Sequence, residues 1–394
     1  MAGVLDGVRV LDFGRYIAGP YCGALLADLG ADVIRIDKLN GSEDRFVGSV
    51  GDDGTGAGYV QMNRNKRGIT LNPTKPEGRE LVRKLVETAD VVIANMPAEA
   101  LVAAGLDYET LRGYKEDIIV TNATAFGDVG PYKDRVGFDG IAQAMCGSVY
   151  LSGSPEQPQR NISPYVDFAT AMSSTIGTMA ALTEKERTGK GQHVTANLLC
   201  NAISMVNGSL IEQSITGINR IATGNRGQVT APTDIYRCKD GSMLMQVIGN
   251  PLFERWAKMM GEEHWLTDPR FKDDLGRGEN SEEISERMAA WCSERTVSEA
   301  IGACEAVRIP CGPVYSPQQT IDDPHVQAMD FLKPLEYPGF DGAALVANTP
   351  VNMSVSQVGI RHRAPLLGEH TEDIMTELGL SADEIAVLRE KRVV

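Results

Sequence analysis

The chain has 394 residues, 42% of them hydrophobic, enough for one large domain or two ordinary ones around a sizeable core. Its formal net charge of −15 disfavours nucleic acid, whose binding rests on neutralising phosphates, but leaves room for an anionic small ligand held by a local basic patch. No stretch reaches the roughly 20 apolar residues of a membrane span, and MAGVLDGVRV has neither the basic start nor the apolar run of a signal peptide, so a cytoplasmic protein off the membrane is expected.

In chain order, VRVLDF (8–13) reads as a buried strand, GPYCGALLADLG as a helix stopped by Gly30, and ADVIRID as a second strand ending at Asp37. That is a βαβ unit, the building block of parallel sheets. A further helix carries Leu81, Val82, Leu85 and Val86 on one face, followed by the strands DVVIAN and DIIVTNAT. The alternation predicts a doubly wound, Rossmann-like α/β layer. A long helix from Phe168 to Arg187 and a strand in QHVTANLL complete it, and a helical segment from Ala202 to Ile215 follows. TDIYRCKDGSMLMQVIG then reads as two strands about a Lys-Asp-Gly-Ser turn, opening a smaller α+β region. The tail is helical, with Ser381 as the expected N-cap of SADEIAVLREK. The expected division is a large ligand-binding domain over 1–200, a linker over 201–224, a small domain over 225–325, and a segment over 326–394 returning to the large domain.

Most catalytic signatures are missing. The turn after the first strand is GRYIAGP rather than GxGxxG, although Asp37 lies about where a ribose-binding acid would sit. TGKGQHV has the wrong spacing for a phosphate-binding P-loop and reads as a helix-to-strand turn. The five histidines show no metal-ligand spacing, and there is no GxSxG elbow. The seven cysteines are odd in number and form no CxxC pair, as expected of buried, reduced thiols. Arg64, Lys66 and Arg67 cluster in NRNKRG, while Lys38 and Arg45 flank the end of the second strand. They are either a phosphate site beyond the strand ends or ordinary surface charge.

Asp167, in SPYVDFATAM, stands among small and apolar neighbours with no nearby cation in sequence. It directly precedes the expected long helix. It is therefore an N-cap, or a nucleophilic carboxylate kept ionised by the helix terminus, or both.

Taken in series, LDGVRVLDFGRYIAGPYCGALLADLGADVIRID, NRNKRGITLN, ADVVIANMPAEAL, FGDVGPYKDRVGFDGIAQAMCG, VDFATAM, ALTEKERTGKGQHV, GNRGQVTAPTDIYRCKDG, IPCGPV and APLLGEHTEDI resemble the class III CoA-transferases, the CaiB/BaiF family, from about Leu5 to Val394. The resemblance implies an α/β ring of a large and a small domain, two chains interlocking as a homodimer. It implies transfer of CoA between an acyl-CoA and a small carboxylic acid, with no metal or redox cofactor. Asp167 matches the family's nucleophile, passing through an acyl–aspartyl anhydride and an aspartyl–CoA thioester, with backbone N–H groups near Gly-rich turns holding the oxyanions. Ile17, Ala18, Lys38, Leu71, Asn72, Pro73, Asn95, Met96, Pro97, Phe138 and Asp139 fall at or beside positions that contact CoA. The racemases of the family carry a histidine where this chain has Phe138, and a phenyl ring exchanges no protons. A racemase or isomerase, or a CoA-binding protein without catalysis, are the alternatives. The glycine run of formyl-CoA transferase is reduced to GNRGQVTAPTDIY, and its basic CoA contacts correspond to Ala103 and Val136. Arg64, Lys66 or Arg67 are the expected replacements.

Overall fold

The structure is a computed structural model and describes residues 3–394. Its centre is a six-stranded sheet of β1 (Arg9–Asp12), β2 (Asp32–Asp37), β3 (Arg67–Thr70), β4 (Val91–Ala94), β5 (Ile119–Thr124) and β6 (His193–Asn197). The strands are all parallel and lie in the order β3-β2-β1-β4-β5-β6. Alternate side chains on each strand face opposite ways. Val10, Val33, Val91 and Ile119 therefore pack under one layer of helices, and Leu11, Ile34, Val92 and Val120 under the other. Burial on both faces explains why the strands read as apolar runs rather than alternating ones.

Helix α1 (Ala18–Asp28) and helix α4 (Tyr165–Thr188) cover the first face, with Leu26, Ala27, Ala171 and Ala181 in the core. Small residues let α1 and α4 approach closely. Helix α2 (Pro76–Thr88) covers the second face with Leu81, Val82, Leu85 and Val86, as their spacing predicts. Ile374, Ile385 and Val393, from helix α6 (Thr371–Glu377), helix α7 (Ala382–Glu390) and the turn beyond it, join that same core. Ser381 caps α7 in a reciprocal capping box with Glu384.

The chain divides into two compact units. The first comprises the chain up to Gln143, Ile162–Met205 and Pro324–Val394; the second comprises Ala144–Asn161 and Val206–Asp323. Two boundaries differ from expectation. Residues 144–161 belong to the second unit, where Gly224 donates its N–H to the Gly153 carbonyl at 2.6 Å and Asn219 bonds the Tyr150 hydroxyl. The segment expected as a linker over 201–224 starts in the expected helix, here α5 (Leu198–Thr216), and the division between the units falls within that helix, after Met205. The second unit holds an antiparallel sheet of β7 (Thr233–Arg237), β8 (Ser242–Gln246) and β9 (Cys311–Pro313), and its core centres on Trp256, Trp265, Phe253 and Phe271. Among the described residues no helix is long and apolar enough to cross a membrane, and no group of three or more His, Cys, Asp or Glu could hold a metal ion. The cysteines form no disulfide; most are buried, but Cys200 is exposed, contrary to expectation.

Candidate active site

In an open parallel sheet, ligands settle beyond the carboxyl ends of the strands, above all where the strand order reverses. Here the reversal lies between β1 and β4. The loops leaving those strands are fastened together by one side chain: the Asn95 carboxamide accepts from Arg15 N–H and donates to the Arg15 carbonyl, both at 2.7 Å. Gly19, at the start of α1, lies so close to Gly14 that a Cβ there would meet the Gly14 Cα at 2.9 Å. Tyr16 between them takes a φ of 62°, uncommon for an aromatic residue.

A cavity of about 350 Å³ opens at this point, and among its walls are Tyr16, Asn95, Pro97, Ala123, Phe138 and Asp167. The Phe138 ring meets Tyr16 edge-on at 5.7 Å. A second cavity, of about 440 Å³, lies beyond the ends of β2 and β3 and is walled by Lys38, Leu71, Asn72 and Pro73, among others. Arg15 and Met96 line both cavities.

Asp167 does not precede its helix. Helix α4 begins at Tyr165, after Pro164, which puts Asp167 in the first turn, and no side chain at the N-cap position serves the helix. The cap comes from 28 residues upstream in the chain. Asp139 Oδ2 accepts the backbone N–H groups of Val166 at 2.7 Å and Asp167 at 3.1 Å, while its other oxygen accepts from the Gln143 amide. The remaining first-turn N–H groups of Tyr165 and Phe168 bond Ser163 and Pro164 carbonyls. The helix terminus is thus neutralised by a buried carboxylate, and its N–H groups are spent. Burial first, and the Asp139 charge second, push Asp167 from its usual 3.8 up to about 7. The helix terminus therefore gives the Asp167 anion less support than the sequence suggests, because its N–H groups are taken by Asp139 and by backbone carbonyls.

Of the residues expected to contact CoA, the structure brings Ala18, Asn95, Met96, Pro97 and Phe138 to the first cavity, and Lys38, Leu71, Asn72, Pro73 and again Met96 to the second. Ile17 and Asp139 line neither: Ile17 packs into the core under α1, and Asp139 is buried behind α4 as its cap. The expected basic replacements are consumed by the fold. Arg64 is fully buried on Asp28 at 2.6 Å, Lys66 is fully buried on Asp12 at 2.7 Å, and Arg67 forks Asp32 and Glu377. Asp37, the suggested ribose acid, is taken up by Arg35 and Arg45. Arg15, which the sequence reading left without a role, sits between the cavities. Its position in the first βα turn of a parallel sheet was the available signal.

The family model described as CoA-transferase family III matches residues 5–371. The chain is 34% identical over 396 residues to succinyl-CoA–D-citramalate CoA-transferase of Chloroflexus aurantiacus, spanning 99% of this chain and 98% of that one. It is 33% identical to succinate–glutarate CoA-transferase of Agrobacterium fabrum, spanning 95% of each. The crystal structure of a CaiB/BaiF family protein from Brucella suis superposes with a TM-score of 0.84 at 30% identity, covering 96% of this chain and 100% of that one. The chain belongs to CoA-transferase family III, the CaiB/BaiF family, and is a CoA-transferase.

Proposed function

We propose that this enzyme moves CoA from an acyl-CoA thioester to a free carboxylic acid, with Asp167 as the nucleophile. The observation that carries the reading is a half-buried carboxyl, pushed up to about 7, at the wall of a cavity placed at the switch point of the sheet. Hydration makes a carboxylate a weak nucleophile; burial removes that water and raises its basicity together. Ionised Asp167 attacks the thioester carbonyl, the C–S bond breaks, and CoA leaves as a thiolate from an acyl–aspartyl anhydride. The thiolate attacks the aspartyl carbonyl, releasing the first acid as its carboxylate and leaving an aspartyl–CoA thioester. The acceptor carboxylate attacks that thioester, the thiolate departs again, and its attack on the acyl carbonyl of the new anhydride gives the product and regenerates Asp167. Each step exchanges one leaving group for another and consumes no net proton.

CoA runs across both cavities in this reading. Tyr16, Ala18, Asn95, Pro97 and Phe138 border the thioester end; Lys38, Leu71, Asn72 and Pro73 border the nucleotide end, with Met96 between. The relatives named above act on succinyl-CoA with citramalate and on succinate with glutarate, which makes four- and five-carbon dicarboxylic acids the first pairs to assay. No histidine lines the Asp167 cavity, so a racemase lacks an imidazole partner there.

A homodimer is part of the proposal. Met172 and Ile176 on α4, and Met205, Ile211 and Ile215 on α5, are exposed, Ile215 to 81%, and the apolar side chains of α5 are spread around the helix with only Leu198 and Ala202 buried. A helix of that composition is stable when another surface covers it. Sedimentation of the pure protein as a monomer would remove this part.

The decisive experiment offers the protein succinyl-CoA and labelled succinate or glutarate and follows label into CoA esters. Hydroxylamine trapping and peptide mass spectrometry then locate the acyl group. Wild-type rates in a folded Asp167→Asn variant sink the proposal.

A further inference from the structure

The second cavity is lined by cations in an acidic protein. In a protein of net charge −15, its walls include Arg15, Lys38 and Arg392 and no carboxylate. By contrast, a larger groove of about 740 Å³ between α2 and α7 is walled by Glu77, Glu80, Asp383 and Glu384 against a single lysine, Lys84, and opposes an anionic ligand. Of the three cations, Lys38 is paired with Glu43. Arg15 spends only Nη1, on the Phe13 and Gly14 carbonyls, which leaves Nε and Nη2. The Arg392 side chain makes no ion pair with any described residue and is open to solvent.

Arg392 is nonetheless fixed in place. On one side of it the Lys391 carbonyl accepts from Lys75 Nζ; on the other the Val393 carbonyl accepts from Asn72 N–H at 2.8 Å. Val393 itself is fully buried in the core under β3. Between these anchors Arg392 adopts a φ of 54°, in the left-handed region that residues with a Cβ seldom enter. The turn beyond α7 is thus tied to the Leu71–Thr74 loop, with an unpaired guanidinium held at the rim of the cationic cavity.

We infer that Arg15 and Arg392 are the phosphate-recognition groups of this enzyme, Arg15 facing the pyrophosphate of CoA and Arg392 the ribose 3′-phosphate. The inference rests on the reading that the acyl thioester meets Asp167. Arg15 borders both cavities and so meets the first anionic group beyond the pantetheine arm; Arg392 borders only the outer cavity and meets the phosphate at the far end of the cofactor. A planar guanidinium with free N–H groups suits a phosphate better than an ammonium. It follows that the enzyme distinguishes CoA from dephospho-CoA, and that Arg392 is the residue responsible.

Calorimetric titration of the full-length protein with CoA and with dephospho-CoA tests this directly, because the two ligands differ only in the 3′-phosphate. Wild type is expected to bind CoA about tenfold or more tightly than dephospho-CoA, the worth of one charge-assisted contact. Arg392→Gln is expected to lose that preference by weakening CoA alone, and Arg392→Lys to recover part of it. Arg15→Gln is expected to weaken both ligands alike. Equal affinity of wild type for the two ligands, or equal weakening of both by Arg392→Gln at unchanged thermal stability, overturns the inference. The transfer reading fails separately: a protein that binds CoA with the expected preference but moves no label from succinate into succinyl-CoA loses the activity and keeps the phosphate site.

Discussion

Asp139 offers the sharpest test of how the site is tuned. Its carboxylate caps the helix that carries Asp167 and lies close enough to raise the Asp167 carboxyl, second only to burial. Asp139→Asn removes the charge but keeps an oxygen to accept the Val166 and Asp167 N–H groups, and the Gln143 amide can turn to accept from the new Asn nitrogen. Burial persists, so the carboxyl stays raised, but by less. With the wild-type value about 7, Asp167 is about one-tenth ionised at pH 6. Lowering it by about one pH unit, ~1.4 kcal/mol of like-charge repulsion, brings that fraction to about one-half. Transfer at pH 6 is then expected to rise about fivefold, while at pH 8, where both proteins are mostly ionised, the rates differ by less than about twofold. The assay is the pH dependence of kcat/KM for the acyl-CoA between pH 5 and 9. Asp139→Ala serves as the contrast, since it strips the cap as well and is expected to lose about 1–3 kcal/mol of stability. An acid limb that stays where it was in a stable Asp139→Asn protein refutes the electrostatic account, and one that moves to higher pH reverses it.

Three further outcomes follow from the same geometry. Asp167 has a folded value above its ordinary 3.8, so the unfolded chain releases its proton first as pH rises and the group removes stability between about pH 4 and 7; Asp167→Asn is expected to be more stable than wild type above pH 7, by up to about 4 kcal/mol less what solvent screens, and nearly equal to it at pH 4, as read by urea unfolding at the two pH values. Lys66→Met leaves the fully buried Asp12 without its direct partner and is expected to cost about 3–5 kcal/mol with CoA affinity retained in the folded fraction; weakened CoA binding without lost stability would restore Lys66 to the ligand site. A Cβ on Gly78 would lie 1.9 Å from the Asn72 carbonyl oxygen, so Gly78→Ala must displace the loop that walls the second cavity; if that cavity takes the nucleotide as proposed, about tenfold weaker CoA binding is expected, by titration, with far-ultraviolet circular dichroism unchanged.

How much of this was legible in the sequence depends on the range of the interaction concerned. The strands β1, β2, β4 and β5 and helix α2 are visible because burial on two faces, or on one stripe, writes itself into neighbouring residues. Ser381 is visible because a capping box is a four-residue event. The start of α4 is not, since its cap is Asp139, and nothing local to Asp167 signals a carboxylate folded back from another loop. The basic cluster in NRNKRG misleads for the same reason. Arg64 and Lys66 look like surface charge or a phosphate site until Asp28 and Asp12, far upstream, are brought against them. Arg392 is invisible as a site residue because its place beside Leu71 and Asn72 is fixed by tertiary bonds to residues 72 and 75.

In the proposed mechanism the two ends of the site make opposite electrostatic demands. Phosphates need cations in the open; a carboxylate nucleophile needs to be short of water and free of any cation that would bind its lone pairs. An ion pair to Asp167 would keep it charged at every useful pH but would also lower its basicity. Asp167 instead has no basic partner and its helix is capped by a second acid, which together with burial raises its carboxyl to about 7; in the proposed mechanism the anion that then forms is the nucleophile. Lys133 and Arg135 do line the Asp167 cavity, but the carboxyl is set by its burial and by Asp139, not by either cation. A lysine in the cavity wall at Phe138, as in Phe138→Lys, adds the cation partner that Asp167 lacks. It is expected to lower the Asp167 value, flatten the acid limb of the pH profile and slow transfer at pH 8, where ionisation is already nearly complete and lost basicity alone is felt. A Phe138→Lys protein that gains activity at pH 8 would show that ionisation, not nucleophilicity, limits the enzyme.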